Sequence, residues 1–170
     1  MTIFQFLARD HARLDSLLSR AFREPADVDL TSFGEFRQGL LRHIALEEKL
    51  LIPAVTAARG GEPLPFARRL RVDHGALAAL LVPTPARSTA DELRKILVPH
   101  NVVEEGPGGL YETCDAVLSE LEKQALLERM LAYPPVRVAR YRDGPRVCRT
   151  AEEALRISGL QAESRRTEER

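Results

Sequence analysis

Histidine and cysteine are scarce in this 170-residue chain: four of one and two of the other. Cys114 and Cys148 lie far apart with no CxxC spacing, so they read as free thiols and fit a reducing cytoplasm; a disulfide between them is the alternative. There is no charge excess, with 25 lysines and arginines against 25 aspartates and glutamates. That balance argues against a polyanion binder held by bulk charge and leaves no strong nucleic-acid signal. No window approaches the roughly 20 apolar residues that a membrane span needs. The apolar start from Met1 to Leu7 is short, interrupted by Gln5 and followed at once by Arg9 and Asp10, which makes a poor signal peptide. What remains is 44% apolar sequence, enough for one buried core with a modest extension.

Apolar residues recur at helical spacing through most of the chain. Ile3, Leu7, Leu14, Leu18 and Ala21 mark a first helix that ends before Pro25. A second runs from near Phe33 to about Ala58, where Gly60, Gly61 and Pro63 stop it. A third spans roughly Pro65 to Leu81. A fourth starts near Ser88 or Thr89, is interrupted at Gly106-Pro107-Gly108-Gly109, and is followed by a helical stretch from Leu110 to Ala132. Four helices with short connections and one apolar stripe each predict an all-α, antiparallel four-helix bundle over residues 1–132. Residues 133–170 form an extension. Arg137 to Arg142 and Arg146 to Arg149 flank Asp143-Gly144 as a small hairpin. Thr150 caps a short helix ending near Gly159, and the last ten residues are a frayed tail. A lone hairpin is marginal in water, so this piece must pack on the bundle or on a partner, which admits a homodimer.

The chain contains a degenerate repeat. Residues 10–18 (DHARLDSLL) and 73–81 (DHGALAALL) share D-H-x-x-L-x-x-L-L. Residues 40–48 (LLRHIALEE) and 97–105 (LVPHNVVEE) share L-x-x-H-x-x-x-E-E. Every histidine of the protein, His11, His43, His74 and His100, sits in this repeat and on an apolar stripe. Glu47 and Glu104 follow a histidine by four residues, about 40° round the helix, so they share its inward face.

A carboxylate in an apolar core costs several kcal/mol unless it is paired or coordinated, and no lysine or arginine lies on these stripes. Four imidazoles and two carboxylates meeting in one core suit two divalent metals. One histidine on an apolar stripe is usually an ordinary core histidine, and one HxxxE is usually chance. Here both coincidences would have to occur twice, in register. Other features carry less. Glu48 and Glu105 lie about 140° from the histidine face and read as solvated or supporting positions. Asp10 and Asp73 either orient imidazoles or sit on the helix surface. Asp15 stands four residues after His11, but its repeat counterpart is Ala78. Tyr111 reads as a half-buried tyrosine at the bundle end more readily than as a phenol near metals. Pro99, directly before His100, is expected to kink the fourth helix.

The order of these motifs resembles the hemerythrin-like, or HHE cation-binding, domain family over about residues 1–130. The resemblance implies a non-haem di-iron centre. His11 and His43 would hold one iron and His74 and His100 the other, with Glu47 and Glu104 bridging; zinc or manganese are the alternative metals. The respiratory members carry a further histidine where this chain has Ala78. They also carry an aspartate five residues after the fourth-helix histidine, where this chain has Glu104 at four and Glu105 at five. A poorer shell on one iron would leave an open position. The resemblance thus points to a module that binds or senses oxygen, nitric oxide or iron, with a diatomic molecule or peroxide as its ligand. Alternatives are a di-iron oxidase or peroxidase-type enzyme, an iron-handling or iron-centre repair protein, and a structural bundle with an incidental zinc site.

Overall fold

The computed structural model describes residues 1–24 and 26–168, with side chains to residue 164. All regular structure among them is helical: α1 (Ile3–Ala21), α2 (Leu30–Leu46), a π-helical turn (Glu47–Leu51), α3 (Ile52–Ala58), α4 (Ala67–Leu80), α5 (Thr89–Glu105), α6 (Leu110–Val117), α7 (Glu120–Leu131) and α8 (Ala151–Glu168). No helix of the described residues is long and apolar enough to cross a membrane.

Local chemistry starts α1 and α2 where the sequence places a capping side chain. Thr2 accepts from the Gln5 amide at 3.1 Å, and the Gln5 side chain accepts from the Thr2 amide at 3.1 Å, a closed capping box. Asp29 caps α2, accepting from the amides of Thr31 (3.0 Å) and Ser32 (3.1 Å). Asp29→Ala is expected to lower stability by about 1 kcal/mol, with Asp29→Asn recovering most of it; thermal unfolding measures both. The break expected from Pro25 falls on a residue outside those described.

The apolar side chains gather in two clusters. One holds Leu14, Leu17 and Leu18 with Phe33, Phe36, Leu77, Leu80, Leu93 and Ile96. The other holds Ile3, Leu7, Leu46, Leu51, Leu70, Leu110 and Met130. α1, α2, α4 and α5 each run between the two clusters, and each places its histidine at the crossing. Helix α1 packs on α2, and α4 on α5. Cys114 and Cys148 are free and buried, one in each cluster.

Several expectations need correction. Residues 110–132 form two helices, because Leu118 is extended and Ser119 with Glu122 forms a second capping box. That S-x-x-E signal is present in the sequence. Pro99, where a kink is expected, lies inside α5, which continues through it to Glu105. The proline lies on the exposed face, where water can take the place of the lost hydrogen bond. The interruption comes at Gly106–Gly109.

The hairpin at 137–149 does not form. The chain there is a strap without regular structure, tied to α2 at Ala139 and, just before it, at Met130, Tyr133 and Val136. Arg37 donates to the Ala139 carbonyl at 2.7 Å, Gln38 to Val136 at 3.1 Å, and Arg42 to Tyr133 and Met130 at 3.0 Å. The strap packs on the helices, as a piece of this size must. Helix α8 does not stop near Gly159 or fray over the next residues; it runs to Glu168 along α4, with Ala151 and Ala154 in the core. Positions 169 and 170 of the expected frayed tail lie outside the described residues.

Candidate metal centre

The six residues singled out from the repeat converge between the two apolar clusters. They form two overlapping groups: His11, His43, Glu47 and Glu104, and Glu47, His74, His100 and Glu104. Within each group one ligand atom per residue lies within 4.8 Å of all the others. Glu47 and Glu104 belong to both and are fully buried, at 0% exposure. The Nε2 of His43 stands 3.4 Å from Glu47 Oε1, that of His74 3.3 Å from Glu47 Oε2, and that of His100 2.9 Å from Glu104 Oε1. The His11 Nε2 lies 3.4 Å from Glu104 Oε2.

Each imidazole is fixed from behind by a carboxylate on another helix. His43 Nδ1 donates to Asp10 at 3.0 Å and His100 Nδ1 to Asp73 at 3.3 Å. His74 Nδ1 donates to Glu48 at 2.8 Å and His11 Nδ1 to Glu105 at 2.5 Å. A carboxylate only accepts, so the proton sits on Nδ1 in all four rings. In the neutral ring that leaves the Nε2 lone pair facing inward, which is the tautomer a metal takes. Asp10 and Asp73 are held in turn, by Arg13 at 2.8 Å and by Arg69 at 3.7 Å. The whole D-H and H-x-x-x-E-E repeat is thereby used. Glu48 and Glu105 orient imidazoles and are not merely solvated. Glu48 lies in the π-helical turn, where the 3.6-residue period no longer applies.

Tyr111 also belongs to the site, against the reading of it as a half-buried end residue. It is 1% exposed. Its hydroxyl donates to Glu47 Oε1 at 2.8 Å and lies 3.4 Å from Glu104 Oε2. The Gly106-Pro107-Gly108-Gly109 turn brings it there. A Cβ at Gly109 would meet the Val103 carbonyl oxygen at 2.5 Å and that of Glu104 at 2.8 Å. Only glycine lets α6 start so close against the last turn of α5. Asp15 does not reach the cluster; it is exposed and stands 3.9 Å from Arg94. Ala78, one turn past His74, offers no ligand.

The electrostatics favour positive charge at the centre. Burial alone would push the His43 imidazole down, but Glu47 and Asp10 outweigh it and raise its pKa to about 10. His74 and His100 are raised against burial by the same kind of contact. Burial and mutual repulsion would push Glu47 up, yet the imidazoles hold it low; Glu104 is likewise held well below the usual carboxylate range. Burial and the two glutamates drive the Tyr111 phenol far up. Six carboxylates and two arginines meet here, so with neutral imidazoles the cluster carries four negative charges. Two divalent cations balance that charge.

Four buried polar atoms aimed at the centre have no hydrogen-bond partner: His43 Nε2, His74 Nε2, Glu47 Oε2 and Glu104 Oε1. Buried polar atoms left unpaired cost roughly 1–3 kcal/mol each, so four in one place call for something that binds them. Inward lone pairs and carboxylate oxygens are metal donors, and the set fits a pair of cations.

Comparison with known proteins agrees with this geometry. Residues 2–107 match the family model of the hemerythrin HHE cation binding domain. No curated protein and no solved structure gives a match.

Proposed function

The chain belongs to the hemerythrin HHE cation-binding family, and from that premise we propose that it is a non-haem di-iron protein that binds or senses oxygen, nitric oxide or iron. The observation that carries the reading is the pair of overlapping ligand groups with four orphaned donor atoms between them. His11 and His43 would hold one ion and His74 and His100 the other, with Glu47 and Glu104 shared. When bound, a di-iron centre supplies a site where a diatomic molecule or peroxide can be held and reduced or released.

The protein's own residues do the rest. Asp10, Glu48, Asp73 and Glu105 hold the four imidazoles in the ligating tautomer. Tyr111 keeps one oxygen of Glu47 in a hydrogen bond and closes its side of the centre to water. The histidine-bearing helices run alternately between the two apolar clusters, which supports an antiparallel four-helix bundle over residues 1–132. The described part of the extension, residues 133–168, then acts as a brace laid along α2 and α4. Free buried thiols suit a reducing compartment such as the cytoplasm.

Protein purified anaerobically from iron-replete cells should contain two irons per chain. Its near-ultraviolet charge-transfer bands should change on exposure to oxygen or nitric oxide. Zinc alone, or no metal, would refute the di-iron reading. One observation favours turnover of peroxide as a second reading: a cavity reaches the histidine edges from the surface. Steady catalytic loss of peroxide by wild-type protein, abolished in Glu47→Ala, would establish it.

A further inference from the structure

Tyr111 meets the centre from one side only. Its hydroxyl oxygen lies 2.8 Å from Glu47 Oε1, 3.4 Å from Glu104 Oε2 and 3.5 Å from His11 Nε2. Glu47 Oε1 is also the oxygen that faces His43, at 3.4 Å, and Glu104 Oε2 the one that faces His11, at 3.4 Å. The opposite oxygens, Glu47 Oε2 and Glu104 Oε1, face His74 at 3.3 Å and His100 at 2.9 Å. The phenol is thus placed among the donors of the His11 and His43 group. The internal repeat gives the other half no equivalent: Tyr111 comes seven residues after Glu104, and Ala54 comes seven after Glu47.

The atoms around the phenol oxygen are all acceptors. His11 donates through Nδ1 to Glu105, so its Nε2 carries a lone pair, as do the two carboxylate oxygens. The phenol brings one proton, which cannot serve three acceptors. Given to Glu47 at the shortest distance, it leaves the phenol oxygen facing Glu104 and His11 lone pair to lone pair. A cation at the point these atoms share removes that conflict. With metal–donor bonds of about 2.0–2.2 Å, neighbouring donors of one octahedral or tetrahedral ion lie roughly 2.8–3.6 Å apart, which is the spacing around this oxygen.

We propose that Tyr111 is itself a metal ligand, a phenolate that adds a fifth donor to the ion held by His11 and His43 and none to the ion held by His74 and His100. The proposal rests on the di-iron reading and makes its two ions unequal. As the ion binds, the phenol proton leaves to solvent and the oxygen bonds to the metal. In the metal-free protein burial and the two glutamates keep the phenol protonated. A bound cation is the largest local charge and reverses that field. The hydrogen bond to Glu47 is then the metal-free arrangement. The added negative charge favours the ferric over the ferrous state of this ion. Tyr111 serves one ion alone and does not replace the shared glutamates that join the two.

The test uses the full chain, loaded anaerobically with ferrous iron and oxidised with ferricyanide. A phenolate on ferric iron gives a visible charge-transfer band, and resonance Raman excitation into it enhances the phenolate ring vibrations. Both should be present, and the vibrations should shift when the protein is grown on ring-deuterated tyrosine. Tyr111→Phe keeps the ring and its edge contact with Phe4 at 5.8 Å. It should lose the band and the vibrations, and should bind one of its two irons at least about tenfold more weakly while the other changes far less. Tyr133→Phe and Tyr141→Phe, at the two remaining tyrosines, should keep the signature. A tyrosine that only hydrogen-bonds to Glu47 produces no such band. Wild-type protein that holds two irons without the band and the vibrations would overturn this inference and leave the di-iron reading standing, and this outcome needs no variant to fold. A signature that survives in Tyr111→Phe would overturn it as well. Failure of the parent to take up iron at all would overturn the di-iron reading, and this inference with it.

Discussion

Replacing Glu104 with alanine should strip the chain of both metal ions. Among the described residues Glu104 is the one whose oxygens approach three imidazoles: His11 at 3.4 Å, His74 at 3.7 Å and His100 at 2.9 Å. It belongs to both ligand groups, so its loss leaves each with three donors and breaks the link between them. Losing only a residue that orients a ligand costs about 10–100-fold in metal affinity, so losing a shared ligand should exceed about 100-fold for both ions. The measured ion count should fall from two per chain to below one. The thermal stabilisation that metal confers should fall with it. That stabilisation is about 4.1 kcal/mol for a ligand present at a thousand times its Kd. The metal-free variant should also be less stable than the metal-free parent, because the imidazoles that hold Glu104 well below the usual carboxylate range lose their partner. Retention of two ions at parental affinity would show that the shared glutamate is not a ligand.

The sequence made the inner part of this centre legible because it obeys the helix period. His43 with Glu47, and His100 with Glu104, are pairs within one helix, and four residues of spacing suffice to turn both inward. The apolar stripes likewise marked α1, α2, α4 and α5, because burying those stripes is what holds them. The supporting carboxylates were not assignable from the same reasoning. Glu48 serves His74 and Asp10 serves His43, each on a different helix. Such pairings depend on how helices are placed against each other, which no single-helix periodicity contains. Tyr111 escaped for a related reason, since the glycine turn before it decides which way its helix points. At the C-terminus residues 137–149 form no hairpin; Arg37 instead ties the Ala139 carbonyl to α2. Helix α8 runs past Gly159 because packing on α4 outweighs the roughly 1 kcal/mol that glycine costs a helix. At that contact a Cβ on Gly75 would meet Ser158 Oγ at 2.9 Å, so the approach of α8 is itself written into a glycine.

The supporting carboxylates lead to a second large effect, one that separates the two ions. Glu48 touches only the His74 ring among the four, and Glu105 only the His11 ring. If His11 and His43 hold one ion and His74 and His100 the other, each support acts on a different ion. Glu48→Ala frees the His74 Nδ1 proton and lets the ring turn or change tautomer, which should weaken one ion by about 10–100-fold. Glu105→Ala should do so for the other. Stepwise metal titration would then show, in each variant, one tight and one weakened site in place of two tight ones. Glu48→Gln should lie between Ala and the parent, because its amide oxygen still accepts the Nδ1 proton but brings no charge. Both glutamates are partly exposed, at 27% and 35%, so neither substitution opens the core and circular dichroism should be unchanged. The double variant should lose affinity at both ions, and the two losses should couple, because His11 and His74 both face the shared Glu104. A Glu48→Ala protein that weakened both sites equally would mean that the two ions are not divided between the histidine pairs, and the assignment of His74 and His100 to a single ion would fall.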